Sequence, residues 1–429
     1  MNAAVVPRDI ADLLVSPNAY AEQTRLYAGL RWLRVNNPLG QVEIEDFDPF
    51  WIVTKHADIL EISRQNELFH NGDRATTLVT RTADQKVRSL TGGSPHLIRT
   101  LVHMDAPDHF RYRRITQAWF AAPKVRSLED RIRAIARNFV DDMAARGGEC
   151  DFVRDVALRY PLRVVMEILG VPVEDEPRML KLTQELFGSQ DEELGRDFGA
   201  TLDPGAHVKQ LFEVFADFQA YFTRLTEARR QTPREDVASV IANAEIDGKP
   251  ISYFEAMSYY VIVATAGHDT TSSSTSGAIW ALCENPDEFR KVKEDPGLIP
   301  KLVEEAVRWT TPVQHFMRTA TTDVALRGRH VAKGDWLMLC YPSGNRDEEA
   351  FEAPDRFRVD RDASRHVAFG YGAHVCLGQH LARLEMRVFF EELFARLQSI
   401  KLAGEPRRSA STFVGGPKTL PVRFGLSLR

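Results

Sequence analysis

Phe369-Gly370-Tyr371-Gly372-Ala373-His374-Val375-Cys376-Leu377-Gly378 sets one thiol among three glycines, a histidine and two aromatic residues, just before a strongly helical segment. Thiolate ligation of iron calls for this kind of arrangement. Glycine lets the backbone adopt positive φ and come close to a flat macrocycle. The N–H groups of the loop and of the following helix start stabilise a negative sulfur. A thiolate opposite dioxygen pushes electron density into iron and favours O–O cleavage. A lone cysteine is more often a buried structural thiol, so the reading rests on what else the chain carries.

The bulk numbers narrow the field. The chain has 429 residues, 44% hydrophobic and 27% charged, the composition of an ordinary globular protein. A net charge of −5 gives no ground for nucleic-acid binding. Cys150, Cys283, Cys340 and Cys376 lie far apart and form no Cys-x-x-Cys pair, which disfavours a structural zinc site. So few cysteines fit a reducing, cytoplasmic setting. The N-terminus has only the short run Ala3-Ala4-Val5-Val6 before Pro7, neither a signal peptide nor an anchor, and no membrane association is expected.

Helical periodicity dominates. The longest stretch runs over 253–284; others include 108–120, 125–145, 299–309 and 377–397. Strand-like runs are sparse, at 50–54, 316–320, 335–340 and 420–424. The stretch 71–101, with Gly92-Gly93 and Pro95, reads as a long functional loop. The segment 341–367 reads as ordered coil held by polar contacts. No repeat or linker divides the chain, and a single domain over 1–429 is expected.

Three motifs accompany the cysteine loop. Glu305 and Arg308 are three apart on one helix face and can pair; Arg356 is the candidate to complete a Glu–Arg–Arg cluster. Ala266-Gly267-His268-Asp269-Thr270-Thr271 puts poor helix formers inside a helical stretch. This predicts a local distortion in which side chains bond backbone carbonyls. An acid beside an alcohol in an apolar groove suits proton delivery, with Asp269 and Thr270 as the pair. His109 and Arg113 share a helix face, and an arginine fork suits a carboxylate. Separately these are weak signals, since most such residues lie on solvated faces.

Together, and in this order, the motifs resemble the cytochrome P450 superfamily over nearly the whole chain. The segments 265–274, 304–320, 341–351 and 413–424 are similar to a bacterial, terpineol-oxidising subfamily. Ala106 and Asp355 depart mildly from common superfamily patterns, where proline and glutamate are frequent. The resemblance implies a mainly α fold with a small β-rich lobe, a triangular helical prism around haem b (iron protoporphyrin IX). It implies Cys376 as iron ligand, with Phe369, Gly370 and Gly378 around it, and His109, Arg113, Arg318 and His374 on the propionates. It further implies a monooxygenase using O2 and two electrons from a 2Fe–2S ferredoxin with its NAD(P)H-dependent reductase. Arg111, Arg114, Arg383 and Arg387 are the candidate docking surface for that acidic partner.

By the same analogy a compact apolar substrate, a terpene alcohol or small cyclic hydrocarbon, would meet Leu78, Val79, Phe187, Val263, Ala266, Val313, Phe316, Met317 and Phe413. Two alternatives stay open. A haem-binding sensor would not need the Asp269–Thr270 pair. A peroxide-driven oxygenase would need no ferredoxin.

Overall fold

The structure, a computed structural model, describes residues 5–187 and 204–427, without the side chains of Phe187 and residues 204–207. Helices dominate, as the periodicity predicts. Two of the buried ones stand in tandem, Tyr253–Ala266 and Asp269–Glu284. The first opens on a capping box, in which the Ser252 hydroxyl accepts from the Glu255 amide and the Glu255 carboxylate accepts from the Ser252 amide. This satisfies donors that a helix start leaves open. Tyr259, Tyr260, Ala264, Ala278, Ile279 and Leu282 are all buried, and a helix apolar on several sides belongs inside a core.

Helices Tyr160–Leu169, Pro204–Gln231, Ile299–Thr310 and Gln379–Phe394 pack against this pair, and Glu129–Ala144 covers the last of them. Gly277 permits the close approach of Ile299–Thr310: a Cβ there would lie 2.1 Å from Thr310 Oγ1.

The main sheet has five strands in the order Leu39–Val42, Phe50–Val53, Trp336–Cys340, His315–Ala320, Phe69–His70. Phe50–Val53 and Trp336–Cys340 run parallel and the other neighbours antiparallel. Alternation along His315–Ala320 decides which side chains face which layer. Met317 pairs with Met338, and both enter an apolar cluster with Leu30, Ile52 and Trp336. Phe316 packs on the opposite cluster with Ala320 and Tyr341. A second sheet joins Leu397–Leu402, Pro421–Leu426 and Glu149–Asp151.

Three sequence expectations change. The stretch 253–284 is two helices, broken at Gly267-His268. The stretch 125–145 is Ala122–Arg126 followed by Glu129–Ala144. The loop 71–101 contains a helix, Arg81–Thr91, whose Thr80 hydroxyl accepts from the Ala83 amide and which ends at Gly92 with φ 69°. None of that helix is buried, so it lacks the apolar stripe that betrays a helix in sequence. No described helix is long and apolar enough to cross a membrane.

Candidate active site

The cysteine loop is shaped by its backbone. Gly370 and Gly372 have φ of 67° and 71°. At Gly372 a Cβ would lie 2.1 Å from the Ser63 carbonyl oxygen, so no side chain fits there. The Cys376 amide donates to the Phe369 carbonyl at 2.8 Å and the Val375 amide to Gly372 at 3.1 Å. The Arg383 guanidinium lies over the Phe369 ring, 4.5 Å from its centroid. Burial raises the Cys376 pKa; the Gly378 amide, Arg113, Arg383 and the Gln379 amide oppose this. Amides and cations that favour a thiolate therefore already surround the sulfur.

Beside the loop, four residues expected to hold carboxylates come together. The rings of His109 and His374 are 4.1 Å apart. Arg113 Nη2 donates to the Val375 carbonyl at 2.7 Å. Arg318, 5% exposed, meets the Met317 carbonyl and Tyr341. Neither arginine forms an ion pair among the described residues. Asp105 acts on Arg318 and His109 at longer range, but its oxygens accept the Asn71 and Gly72 amides at 2.8 Å.

Burial, then Arg113, brings the His109 pKa down to about 4. Burial, then Arg318, His109 and Arg113, brings His374 down to about 2. Both imidazoles are neutral at neutral pH, and the buried Nε2 of His109 has no partner among the described residues. A buried Arg318 and a half-buried Arg113 with no counterion in ion-pair reach among the described residues are costly, so this cluster calls for a bound anion.

The distortion expected at 266–271 is a helix break. Thr270 Oγ1 donates to the Ala266 carbonyl at 2.7 Å, the competition with backbone bonding that predicts such breaks. His268, fully buried, reaches Thr183 Oγ1 at 3.1 Å and the Leu158 carbonyl at 2.5 Å. Asp269 Oδ1 lies 3.4 Å from His268 Nδ1, and its buried Oδ2 has no partner among the described residues. Burial raises the Asp269 pKa, with His268 opposing. The result is a carboxyl that keeps its proton to higher pH, next in sequence to an alcohol.

Sequence reasoning missed two residues here. The partners of His268 are 85 and 110 positions away, so no local pattern marks it. Glu385, 1% exposed, has an unpartnered Oε2, and burial pushes its pKa well up despite Thr271.

The buried acid–arginine cluster exists with a different third member. Glu305 accepts both Arg308 Nε and Nη2, at 2.7 and 2.8 Å, and both side chains are fully buried. Arg308 Nη1 also donates to the Asn345 and Pro354 carbonyls. The second arginine is Arg361, whose Nε lies 3.2 Å from Glu305 Oε2. Arg356, expected there, is exposed and contributes only its carbonyl, which accepts from Arg361 Nη2 at 3.0 Å. The coil turns between the two positions, and a structureless segment has no periodicity to say which arginine points inward.

The expected pocket residues divide. His315, another residue missed, ties three segments together. Its Nε2 accepts the Leu78 amide at 2.9 Å, and its Nδ1 lies 2.9 Å from the Thr412 carbonyl. Phe316 and Phe413 meet edge to face at 5.4 Å, and Val313 bridges to Val414. Val79 and Val263 are half-buried, and Ala266 is exposed at the helix break. Leu78 is buried near Val79. Met317 does not join Phe316: it is fully buried on the other face of its strand, in the cluster that also holds Leu78 and Val79. The Phe187 side chain lies outside the described residues.

Comparison with known proteins agrees with this arrangement. The family described as Cytochrome P450 matches residues 76–296 and 297–420. The chain is 48% identical to Cytochrome P450-terp of a Pseudomonas species over 98% of each. At 32% identity it matches linalool 8-monooxygenase of Pseudomonas putida (95% of this chain, 98% of that one) and steroid C26-monooxygenase of Mycolicibacterium smegmatis (92% and 91%). The crystal structure of CYP108D1 from Novosphingobium aromaticivorans superposes with a TM-score of 0.91 at 45% identity, covering 99% of this chain and all of that one. With its thiol loop, broken helix and buried acid–arginine cluster in the same chain, this protein belongs to the cytochrome P450 family and is a monooxygenase.

Proposed function

We propose that the chain binds haem b through Cys376 and hydroxylates a compact terpene alcohol of the terpineol kind. The observation that carries the cofactor placement is the acid-free group of Arg113, Arg318, His109 and His374 beside the cysteine loop. A haem brings two propionates, which are the anions this group lacks. Once bound, haem activates dioxygen, helped by electron donation from the thiolate.

The protein's own residues position, exclude water and move protons. The Gly378 and Gln379 amides oppose the rise that burial imposes on the Cys376 pKa and would favour an anionic sulfur on a bound iron. Burial favours a proton on Asp269, and the Thr270 hydroxyl, bonded here to the Ala266 carbonyl, would turn to hand a proton on once the cofactor is in place. Phe316, Phe413, Val313, Val263 and Ala266 shape an apolar space for substrate. Electrons come from a 2Fe–2S ferredoxin and its NAD(P)H-dependent reductase.

The similarity to Cytochrome P450-terp over the full chain supports the terpenoid reading, and the linalool enzyme supports its size class. The steroid relative at equal identity defines the comparison that tests it. The ferric absorption spectrum is titrated with α-terpineol and, separately, with a sterol. A saturable low-spin to high-spin shift with α-terpineol is expected. A shift with the sterol alone would overturn the terpenoid reading while leaving the thiolate spectrum intact.

A further inference from the structure

A groove of about 650 Å³ lies between the helix Thr24–Asn36, the end of Ile299–Thr310 and the strand Arg407–Arg408. Tyr27, Trp32 and Trp309 form its walls, with Arg346 and Arg408 among them. Its size lies in the range of small-molecule sites.

Arg346 is only 4% exposed, and its Nη1 has no hydrogen-bond partner among the described residues. Its guanidinium carbon lies 4.0 Å from the Tyr27 ring centroid and 5.0 Å from that of Trp309. Nη2 donates to the Trp309 carbonyl at 3.1 Å. The acid paired with it, Asp355, is exposed and 3.8 Å away.

Arg408 stacks on Trp280 at 4.4 Å and has no ion pair among the described residues. Both guanidiniums line the groove; Arg346 disfavours the charge on Arg408, and Glu284, beyond ion-pair distance, favours it. Arg31, also on the groove, is already neutralised by Glu348 at 3.4 Å. An unmet N–H on a buried cation costs free energy, and a second unpaired cation beside it adds to that cost. A bound oxyanion would relieve both, and the exposed Trp32 ring, 42% accessible, offers a flat apolar surface next to them.

We infer that this groove is a second, peripheral ligand site for a flat apolar molecule bearing a carboxylate or phosphate. The anionic group bridges Arg346 Nη1 and Arg408, and the ring lies against Trp32. The site is separate from the one that takes substrate, and no bond forms or breaks there.

Calorimetric titration of the holoenzyme with 2-naphthoate, and separately with inorganic phosphate, tests this, with the haem spectrum followed in parallel. Saturable binding of naphthoate without a spin-state change is expected, with phosphate weaker. Arg408→Gln should weaken both by about tenfold, as expected for loss of a charge-assisted bond. Trp32→Ala should weaken naphthoate and leave phosphate unchanged. Arg408→Gln lies outside the packed core and keeps the test independent of folding. No saturable binding, binding unaltered by Arg408→Gln, or binding that always accompanies a spin shift would each overturn the inference.

Discussion

At the scale of single residues, the site is a set of charges and protons held where water is excluded. Thr270 and Asp269 illustrate this: the hydroxyl bonds the helix backbone and the buried carboxyl keeps an unpartnered oxygen. Replacing Thr270 by alanine should leave reduction of the enzyme intact and uncouple it. Reduced cofactor is then consumed while peroxide accumulates in place of product, as assayed by peroxide yield per product formed. Unchanged coupling would remove Thr270 from proton handling.

The acid–arginine cluster gives a sharper contrast. Arg361→Ala strips a charge from a buried acid and should cost about 3 kcal/mol in denaturant unfolding. Arg356→Ala keeps the carbonyl that matters and should cost about 0.5 kcal/mol or less. Equal costs would restore Arg356 to the cluster.

Glu304 is the residue that ties stability to pH. Burial raises its pKa, but the His366 and Arg383 interactions outweigh this and bring it down to about 2. Its folded pKa is below its unfolded one. Its contribution is therefore full above the ordinary carboxylate range and lost as pH falls from about 4.5 towards 2. Glu304→Gln should destabilise by about 2 kcal/mol at pH 7 and progressively less below pH 4.5. A gap that does not narrow with acid would contradict the assigned pKa.

Among the elements, those whose signals are local were legible. The glycine-spaced cysteine loop was readable because positive φ demands glycine, and Gly370 and Gly372 adopt it; that Gly372 also packs on the Ser63 carbonyl had no local signal. The distortion near Thr270 was readable because poor helix formers cluster there. Its form was not, because a full break depends on His268 reaching Thr183 and Leu158. The helix Arg81–Thr91 was read as loop, since it buries no residue to create a periodic stripe. Its punctuation, Thr80 before and Gly92-Gly93 after, was the signal available.

Helix contact yields its own prediction. Gly277→Ala should cost about 1–3 kcal/mol by driving a Cβ into Thr310. Adding Thr310→Ala should recover part of that loss, because Thr310 Cβ still lies 3.2 Å from the new atom. Independent, additive effects in thermal melts would mean the two helices are not in that contact.

On the scale of the whole molecule, family membership and fold come through because the motifs keep their order along the chain. The pocket was less legible. Whether Phe316 or Met317 faces it depends on strand register, and His315, which joins its segments, carries no sequence signature. The proposed docking surface also reads differently in three dimensions. Arg383 is paired with Glu304, Arg387 with Glu129 and Glu391, and Arg111 with Asp247. Arg114 is exposed, with no ion pair among the described residues. Charge reversal at Arg114 should therefore slow reduction by an acidic ferredoxin at low salt, and the difference should shrink as salt rises. A rate indifferent to this change would place the partner elsewhere.

The account turns on Cys376 as a thiolate ligand to haem. The most direct measurement is the absorption spectrum of the reduced, carbon monoxide-bound protein beside that of Cys376→His. The wild type should show the strongly red-shifted Soret band that only a thiolate opposite carbon monoxide produces, and the variant should bind haem but lose that band. A wild-type spectrum like that of a histidine-ligated haem, or a variant that keeps the shifted band, would contradict the assignment.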